Sequence, residues 1–173
     1  MRNATGLPWG RFTGPGLSHL LCYPEAMPAA SRPQLVVLDT ETTGLDPERD
    51  RIIDIGAVRL GPDLEIHERF VTLVDPGVPI PLFITRLVGI NDTDVRGAPA
   101  FPEAFASLRE FVGDAVLVGH NVGFDRDHLA AGAHIAGLPL LANAWFDTLE
   151  AALLLYPEFY RHALVIMAAA FGI

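Results

Sequence analysis

Two short, wholly apolar runs place the tightest limit on how this chain can fold. Residues 35–38 (LVVL) and 115–119 (AVLVG) are continuous β-favouring segments that polar and turn residues follow. Runs of this length and composition are typical of strands buried on both faces, as in parallel sheets covered by helices. They predict an α/β fold in which both strands lie inside a central sheet.

The rest of the chain is predicted to form further strands and helices, separated by turn residues. Three further strands are predicted at residues 51–60, 65–74 and 145–147, the first two at hairpin distance around Gly61 and Pro62. Four helices are predicted at residues 101–112, 122–136, 148–155 and 162–170. Asn121 is expected to cap the second helix, and residues 76–81 to form an irregular loop. The order predicts an α/β sandwich with a mixed central sheet flanked by helices.

The length and composition of the chain fit one globular domain that follows an N-terminal leader. The chain has 173 residues, of which 50% are hydrophobic and 19% charged, so a sizeable core is possible. Pro and Gly interrupt every candidate element in residues 1–33, which predicts a flexible leader ahead of a domain spanning residues 34–173. The net charge of -9 argues against a protein that coats long duplex by neutralising phosphates.

Cysteine content and hydropathy exclude other classes. The single cysteine, Cys22, excludes an internal disulfide framework and a cysteine-based zinc site, and it favours a reducing, cytoplasmic setting. No apolar run reaches the ~18–20 residues that span a bilayer, so no membrane partner is expected.

The first candidate site is DTETTGL, residues 39–45, at the end of the first apolar run. Asp39 and Glu41 are two residues apart, so in an extended chain both carboxylates face one side, with Cα atoms ~6.6 Å apart. Two like charges there require protonation, an Arg or a bound cation, and hard oxygen ligands favour Mg²⁺ or Mn²⁺. The alternative is an ordinary strand-to-turn exit in which Gly44 supplies the bend.

The second candidate site is HNVGFDRDHL, residues 120–129, directly after the second apolar run. Asp125 is expected in the first turn of the following helix, facing the strand ends, where ligands of open α/β sheets collect. The alternative for Asp125 is simple charge complementation at a helix N-terminus. We expect Asp127 to be a solvated surface acid and His120 to be a hydrogen-bonded structural residue.

These motifs resemble those of the DEDD 3'-5' exonucleases of the DnaQ type, a family that includes the epsilon proofreading subunit of bacterial replicative polymerases. DTETTGL is similar to the first exonuclease motif and VGHNVGFDRDHL to the second. The segments IIDIGAVRL, FVTLVDPGVPIP and LVGINDTDVRGAPAF between them also resemble the family. The resemblance implies an RNase H-like fold and two-metal hydrolysis of nucleotides from a 3' end.

Carried over by position, the resemblance makes Asp39, Glu41 and Asp125 catalytic metal ligands for two Mg²⁺ or Mn²⁺ ions, with Asp39 contacting both. It places the backbone of Thr42 and the side chains of Leu45 and Phe124 against the terminal nucleotide. For Leu45, packing in the core is the alternative.

The third motif of the family, a general-base His followed five residues later by an Asp, has no counterpart here. The residue five positions after His162 is Met167, and Tyr160 has no acid at the matching offset. We therefore expect His162 to be a helix-start residue, the general base to be absent from these 173 residues, and the domain to lack its last helix. Loss of a general base typically costs ~10²–10⁴-fold in rate.

Three functions remain open. The first is a DNA-directed 3'-5' exonuclease of the proofreading or repair type, binding a single-stranded 3' end and possibly a DNA polymerase subunit. The second is a non-catalytic module that binds nucleic-acid ends or a polymerase. The third is an RNA-directed 3'-5' exonuclease, which would have to read the 2'-hydroxyl.

Overall fold

The computed structural model describes residues 33–172; the leader predicted at residues 1–33 lies, apart from Pro33, outside this part of the chain. Five strands are described: β1 (Leu35–Thr42), β2 (Ile52–Leu60), β3 (Ile66–Leu73), β4 (Val116–Gly119) and β5 (Trp145–Asp147). Five helices accompany them: α1 (Leu82–Val88), α2 (Phe101–Val112), α3 (Gly123–Ile135), α4 (Thr148–Leu155) and α5 (Leu164–Phe171).

The strands form one mixed sheet in the order β3-β2-β1-β4-β5. β1 pairs antiparallel with β2 and parallel with β4, and β4 pairs parallel with β5. The predicted mixed sheet flanked by helices is therefore confirmed. The parallel pairing of β1 with β4 brings the ends of the two apolar runs to the same edge of the sheet.

The main core lies where α2 and α3 pack on the sheet. Val36, Leu38 and Leu117 point into it together with Phe105 and Leu108 of α2, and all five are at most 2% exposed. The alternate residues of β1, Leu35 and Val37, are only half-buried. The prediction that this run is buried on both faces is thus wrong for one face. A second core cluster exists, but it consists of Ile53, Ile80, Ile84 and Val95 and includes no residue of β1.

The helix α1 was not predicted. It has seven residues, and only Ile84 is buried, whereas Leu82, Phe83 and Leu87 are more than 60% exposed. A helix with one buried position produces no apolar stripe in the sequence, so periodicity gives no signal.

Two other local predictions are wrong. Asn121 does not cap α3: its backbone is left-handed with φ of 65°, the N-cap is Val122, and no side chain caps the helix. The last helix begins at Leu164, and His162 precedes it, with its Nε2 2.9 Å from the carbonyl oxygen of Tyr156. No helix in residues 33–172 has both the length and the apolar character to cross a bilayer.

Candidate active site

β1 carries the first two predicted acids on one face. Burial alternates along the strand, with Leu38, Thr40 and Thr42 buried, Asp39 exposed and Glu41 half-buried. Period-two alternation places Asp39 and Glu41 side by side, away from the main core. The predicted common orientation of the two carboxylates is confirmed.

Asp125 lies in the first turn of α3 and is 3% exposed. The backbone N–H of Thr40 donates to Asp125 Oδ1 at 2.8 Å, and the Thr40 hydroxyl donates to the same oxygen at 2.7 Å. The residue between Asp39 and Glu41 thus ties the third acid to β1 across 85 positions of sequence. Both hydrogen bonds from Thr40 go to Oδ1, so neither of them involves Oδ2.

A fourth acid, Asp54 on β2, joins this group. Asp54 is the direct antiparallel partner of Glu41 and is half-buried. Directly opposed residues of an antiparallel pair share a face of the sheet. Asp54 was not among the predicted site residues, although an acid inside the apolar strand IIDIG was a usable signal.

The pKa values of all four acids are raised. Desolvation by the surrounding protein is the main cause for Asp39, although much of that residue's surface is exposed, and for half-buried Asp54, whose pKa the Asp39 charge also raises. Burial raises the pKa of Glu41 most, followed by the charges of Asp39, Asp54 and Asp125. Burial likewise raises the pKa of Asp125, which reaches about 6 although the Thr40 hydrogen bonds lower it. The carboxylates of three elements, β1, β2 and α3, therefore share one electrostatic environment.

None of these four acids forms an ion pair within the described residues. In the same part of the chain no three His, Cys, Asp or Glu side chains are placed so that they could hold a metal ion.

The turn after β1 is built around Gly44. A Cβ at this position would lie 2.4 Å from Asp50 Oδ2, so any larger residue would have to displace that carboxylate. The Thr42 hydroxyl donates to the carbonyl oxygen of Gly44 at 2.5 Å. Leu45 follows at 84% exposure, which rules out the core-packing alternative for its side chain.

The turn between β4 and α3 is held by Asp147 at the end of β5. Its carboxylate accepts the backbone N–H of Asn121 at 3.0 Å and of Val122 at 3.1 Å, as well as that of Leu149 at 2.8 Å. Burial raises the pKa of Asp147, but these hydrogen bonds outweigh it and the pKa is lowered. An Asp directly before the helix Thr148–Leu155 is a capping signal for α4, whereas the contact of Asp147 with the β4–α3 turn has no local signal in the sequence.

Three other residues were singled out from the sequence, and the structure shows the surroundings of each. Phe124 is half-buried, and its ring centroid lies 4.3 Å from that of His128. Asp127 is exposed, as predicted, and pairs with Arg126. His120 Nδ1 lies 3.0 Å from the Thr148 hydroxyl, which confirms its hydrogen-bonded role.

A mixed five-stranded sheet with flanking helices, and with acids gathered where its central strand ends, defines an RNase H-like fold of the nuclease type. The chain belongs to the RNase_T exonuclease family, which it matches over residues 36–173. This confirms the resemblance to DnaQ-type exonucleases and assigns the chain to a family of phosphodiester hydrolases.

Relatives include two bacterial "DNA polymerase III PolC-type" proteins. The one from Latilactobacillus sakei is 41% identical over 131 residues, covering 76% of this chain and 9% of the relative. The one from Streptococcus suis is 37% identical over 153 residues, covering 88% of this chain and 10% of the relative. The chain thus spans about a tenth of the length of these relatives.

Solved structures agree on the fold. Exonuclease X in complex with 5' overhanging duplex DNA matches with a TM-score of 0.66 and 24% identity, covering 80% of this chain and 74% of that one. Escherichia coli exonuclease I in complex with a dA16 oligonucleotide matches with a TM-score of 0.64 and 20% identity, covering 73% and 31%.

Proposed function

We propose that this chain is a metal-dependent 3'-5' exonuclease domain that releases nucleotides from DNA 3' ends in a proofreading or repair setting. The observation that supports it best is the gathering of Asp39, Glu41 and Asp125 from β1 and α3, linked through Thr40. The PolC-type relatives favour DNA and a polymerase context over the RNA-directed alternative.

The donor set fits divalent cations chemically. Three carboxylates supply hard oxygen ligands, which suit Mg²⁺ and Mn²⁺, and they lack a protein cation within residues 33–172. We propose that Asp39, Glu41 and Asp125 hold two such ions, and that Asp125 does so through Oδ2 while Thr40 fixes Oδ1. When bound, divalent ions polarise the scissile phosphate and lower the pKa of an attacking water.

The chain's own residues position the substrate in this proposal. Leu45 projects into solvent from the turn after β1, where an apolar side chain can contact the face of any base. In this turn Gly44 packs against Asp50, and the Thr42 hydroxyl donates to the carbonyl oxygen of Gly44. Phe124 packs on His128 at the start of α3, one residue before Asp125.

A polarity assay tests the proposal. A single-stranded DNA labelled at its 5' end is incubated with the protein and Mg²⁺ or Mn²⁺, beside an RNA of the same sequence. We expect a ladder of labelled products shortened stepwise from the 3' end of the DNA, abolished by EDTA and by Asp39→Asn. Because these residues offer no general base, the rate should be about 10²–10⁴-fold below that of an exonuclease that has one. Asp127→Asn, a substitution of an exposed acid, is the matched control and should retain activity. A ladder that persists in Asp39→Asn, or shortening of RNA alone, would contradict the proposal.

A further inference from the structure

The turn that carries Leu45, residues 43–51, is closed at its two ends. The Thr43 N–H donates to the carbonyl oxygen of Arg51 at 2.8 Å, and the Arg51 N–H donates to the Thr43 hydroxyl oxygen at 2.9 Å. Between these ends Leu45 is 84% exposed, so its side chain has little protein around it to fix its position. The direction in which Leu45 points therefore depends on the backbone of the turn.

One carboxylate joins the two residues on either side of Gly44 and Leu45. Asp50 Oδ1 accepts a hydrogen bond from the Thr43 hydroxyl at 3.1 Å, and Asp50 Oδ2 accepts one from the backbone N–H of Asp46 at 2.8 Å. Asp50 is half-buried, and hydrogen bonds to an ionised group are stronger than those between neutral groups. Asp50 thus holds the residues immediately before and after the Gly44–Leu45 pair.

The requirement for glycine at position 44 comes from the same carboxylate. A Cβ there would lie 2.4 Å from Asp50 Oδ2 and 2.6 Å from Asp50 Oδ1. Gly44 does not adopt a positive φ, so alanine at this position would be strained by Asp50 and not by its own backbone. Gly44→Ala therefore displaces the carboxylate from its hydrogen bonds without removing it.

We propose that Asp50 is a positioning residue for substrate binding, whose carboxylate holds residues 43–46 so that Leu45 projects toward the terminal nucleotide. The inference rests on the proposed nuclease function, in which Leu45 contacts a base. Asp50 itself contacts neither the substrate nor the metal ions, and it acts through Leu45 alone.

A double-mutant cycle with Leu45 tests this proposal. The dissociation constant for a fluorescein-labelled single-stranded DNA, whose 3'-terminal linkages are phosphorothioates that resist hydrolysis, is measured by fluorescence anisotropy. We expect Asp50→Ala to weaken binding about tenfold in the wild type, because one base contact is lost. In a Leu45→Ala background the same substitution should weaken binding by less than about twofold. Glu48→Ala removes an exposed acid of the same turn and should bind DNA like the wild type.

A second pair of variants tests the role of the carboxylate position. Gly44→Ala should weaken DNA binding about as much as Asp50→Ala, and adding Asp50→Ala to it should weaken binding no further. Asp50→Asn keeps one acceptor oxygen and should lose less than Asp50→Ala. Mn²⁺ affinity should be unchanged in each variant, which a general loss of folding would not allow. If Asp50→Ala does not fold, Gly44→Ala with and without Leu45→Ala makes the same test.

The outcomes separate this proposal from the nuclease function. Weaker DNA binding by Leu45→Ala together with wild-type binding by Asp50→Ala would overturn the role of Asp50 and leave the nuclease proposal standing. Additive effects of Asp50→Ala and Leu45→Ala would also overturn it, because Asp50 would then act by another route. No DNA binding by the wild type would contradict both proposals.

Discussion

At the scale of single residues, the buried carboxylate of Asp125 lowers the stability of the folded protein. Its carboxyl is buried, and its pKa is about 6 in place of the ordinary 3.8. A raised carboxyl pKa means that the folded state holds the proton more tightly than the unfolded chain. The resulting stabilisation is present below about pH 4 and is lost as the pH rises through about 6.

Asp125→Asn should therefore stabilise the metal-free protein at neutral pH. The Asn side-chain oxygen can still accept both hydrogen bonds from Thr40, while the buried charge is gone. We expect a gain in the free energy of unfolding of up to about 3 kcal/mol at pH 7, shrinking toward zero at pH 4.

Urea unfolding in EDTA across this pH range measures the effect. Asp127→Asn, two residues further along the same helix and exposed, should change the free energy of unfolding by less than about 0.5 kcal/mol at any of these pH values. An Asp125→Asn variant no more stable than the wild type at pH 7 would show that the buried carboxylate is compensated after all.

Leu45 should affect substrate binding without affecting the fold. Its side chain is 84% exposed, so Leu45→Ala removes almost no buried surface and should change stability by less than about 0.5 kcal/mol. Loss of one apolar contact with a base should raise KM for single-stranded DNA by about 5- to 100-fold. Steady-state kinetics beside thermal unfolding test this, with exposed Leu64→Ala as the control. An unchanged KM would remove Leu45 from the substrate site.

At the scale of elements, Asp147 joins three segments that the site requires. Its carboxylate fixes the β4–α3 turn and caps α4, so Asp147→Ala leaves three backbone N–H groups without their acceptor. We expect a loss of about 2 kcal/mol of stability and weaker divalent-metal binding, because α3 carries Asp125.

Thermal unfolding and Mn²⁺ titration of the same sample test the role of Asp147. Asp147→Asn keeps one acceptor oxygen and should lose less than Asp147→Ala, while exposed Asp114→Ala in the turn before β4 should lose nothing. If Asp147→Ala proves to be destabilised with unaltered Mn²⁺ affinity, Asp147 supports the fold without positioning Asp125.

Elements with strong apolar patterns were predictable from the sequence. The helix Phe101–Val112, the strand Trp145–Asp147 and the helix Thr148–Leu155 lie at their predicted bounds, because burial or capping at these places leaves a local signal. The start of α3 was not predictable in the same way. The N–H groups of Asn121 and Val122, just before α3, donate to Asp147, 25 or more positions away, and the local sequence gives no sign of such a partner.

At the scale of the whole molecule, sheet topology explains why the site was only partly predictable. Two residues of β1 share a face by strand geometry alone, so the pairing of Asp39 with Glu41 follows from spacing. The approach of Asp125 depends on β4 lying parallel to β1, and that of Asp54 on the register of β2. A single sequence, without a related one for comparison, shows neither that β4 pairs with β1 nor the register of β2.

The central claim is that Asp39, Glu41 and Asp125 together form a divalent-metal site. Isothermal titration of Mn²⁺ into the metal-free protein tests it without requiring catalysis. We expect saturable binding in the wild type and in exposed Asp127→Asn, and a loss of at least tenfold in affinity in Asp39→Asn. Absence of binding, or equal affinity in Asp39→Asn and the wild type, would contradict the account.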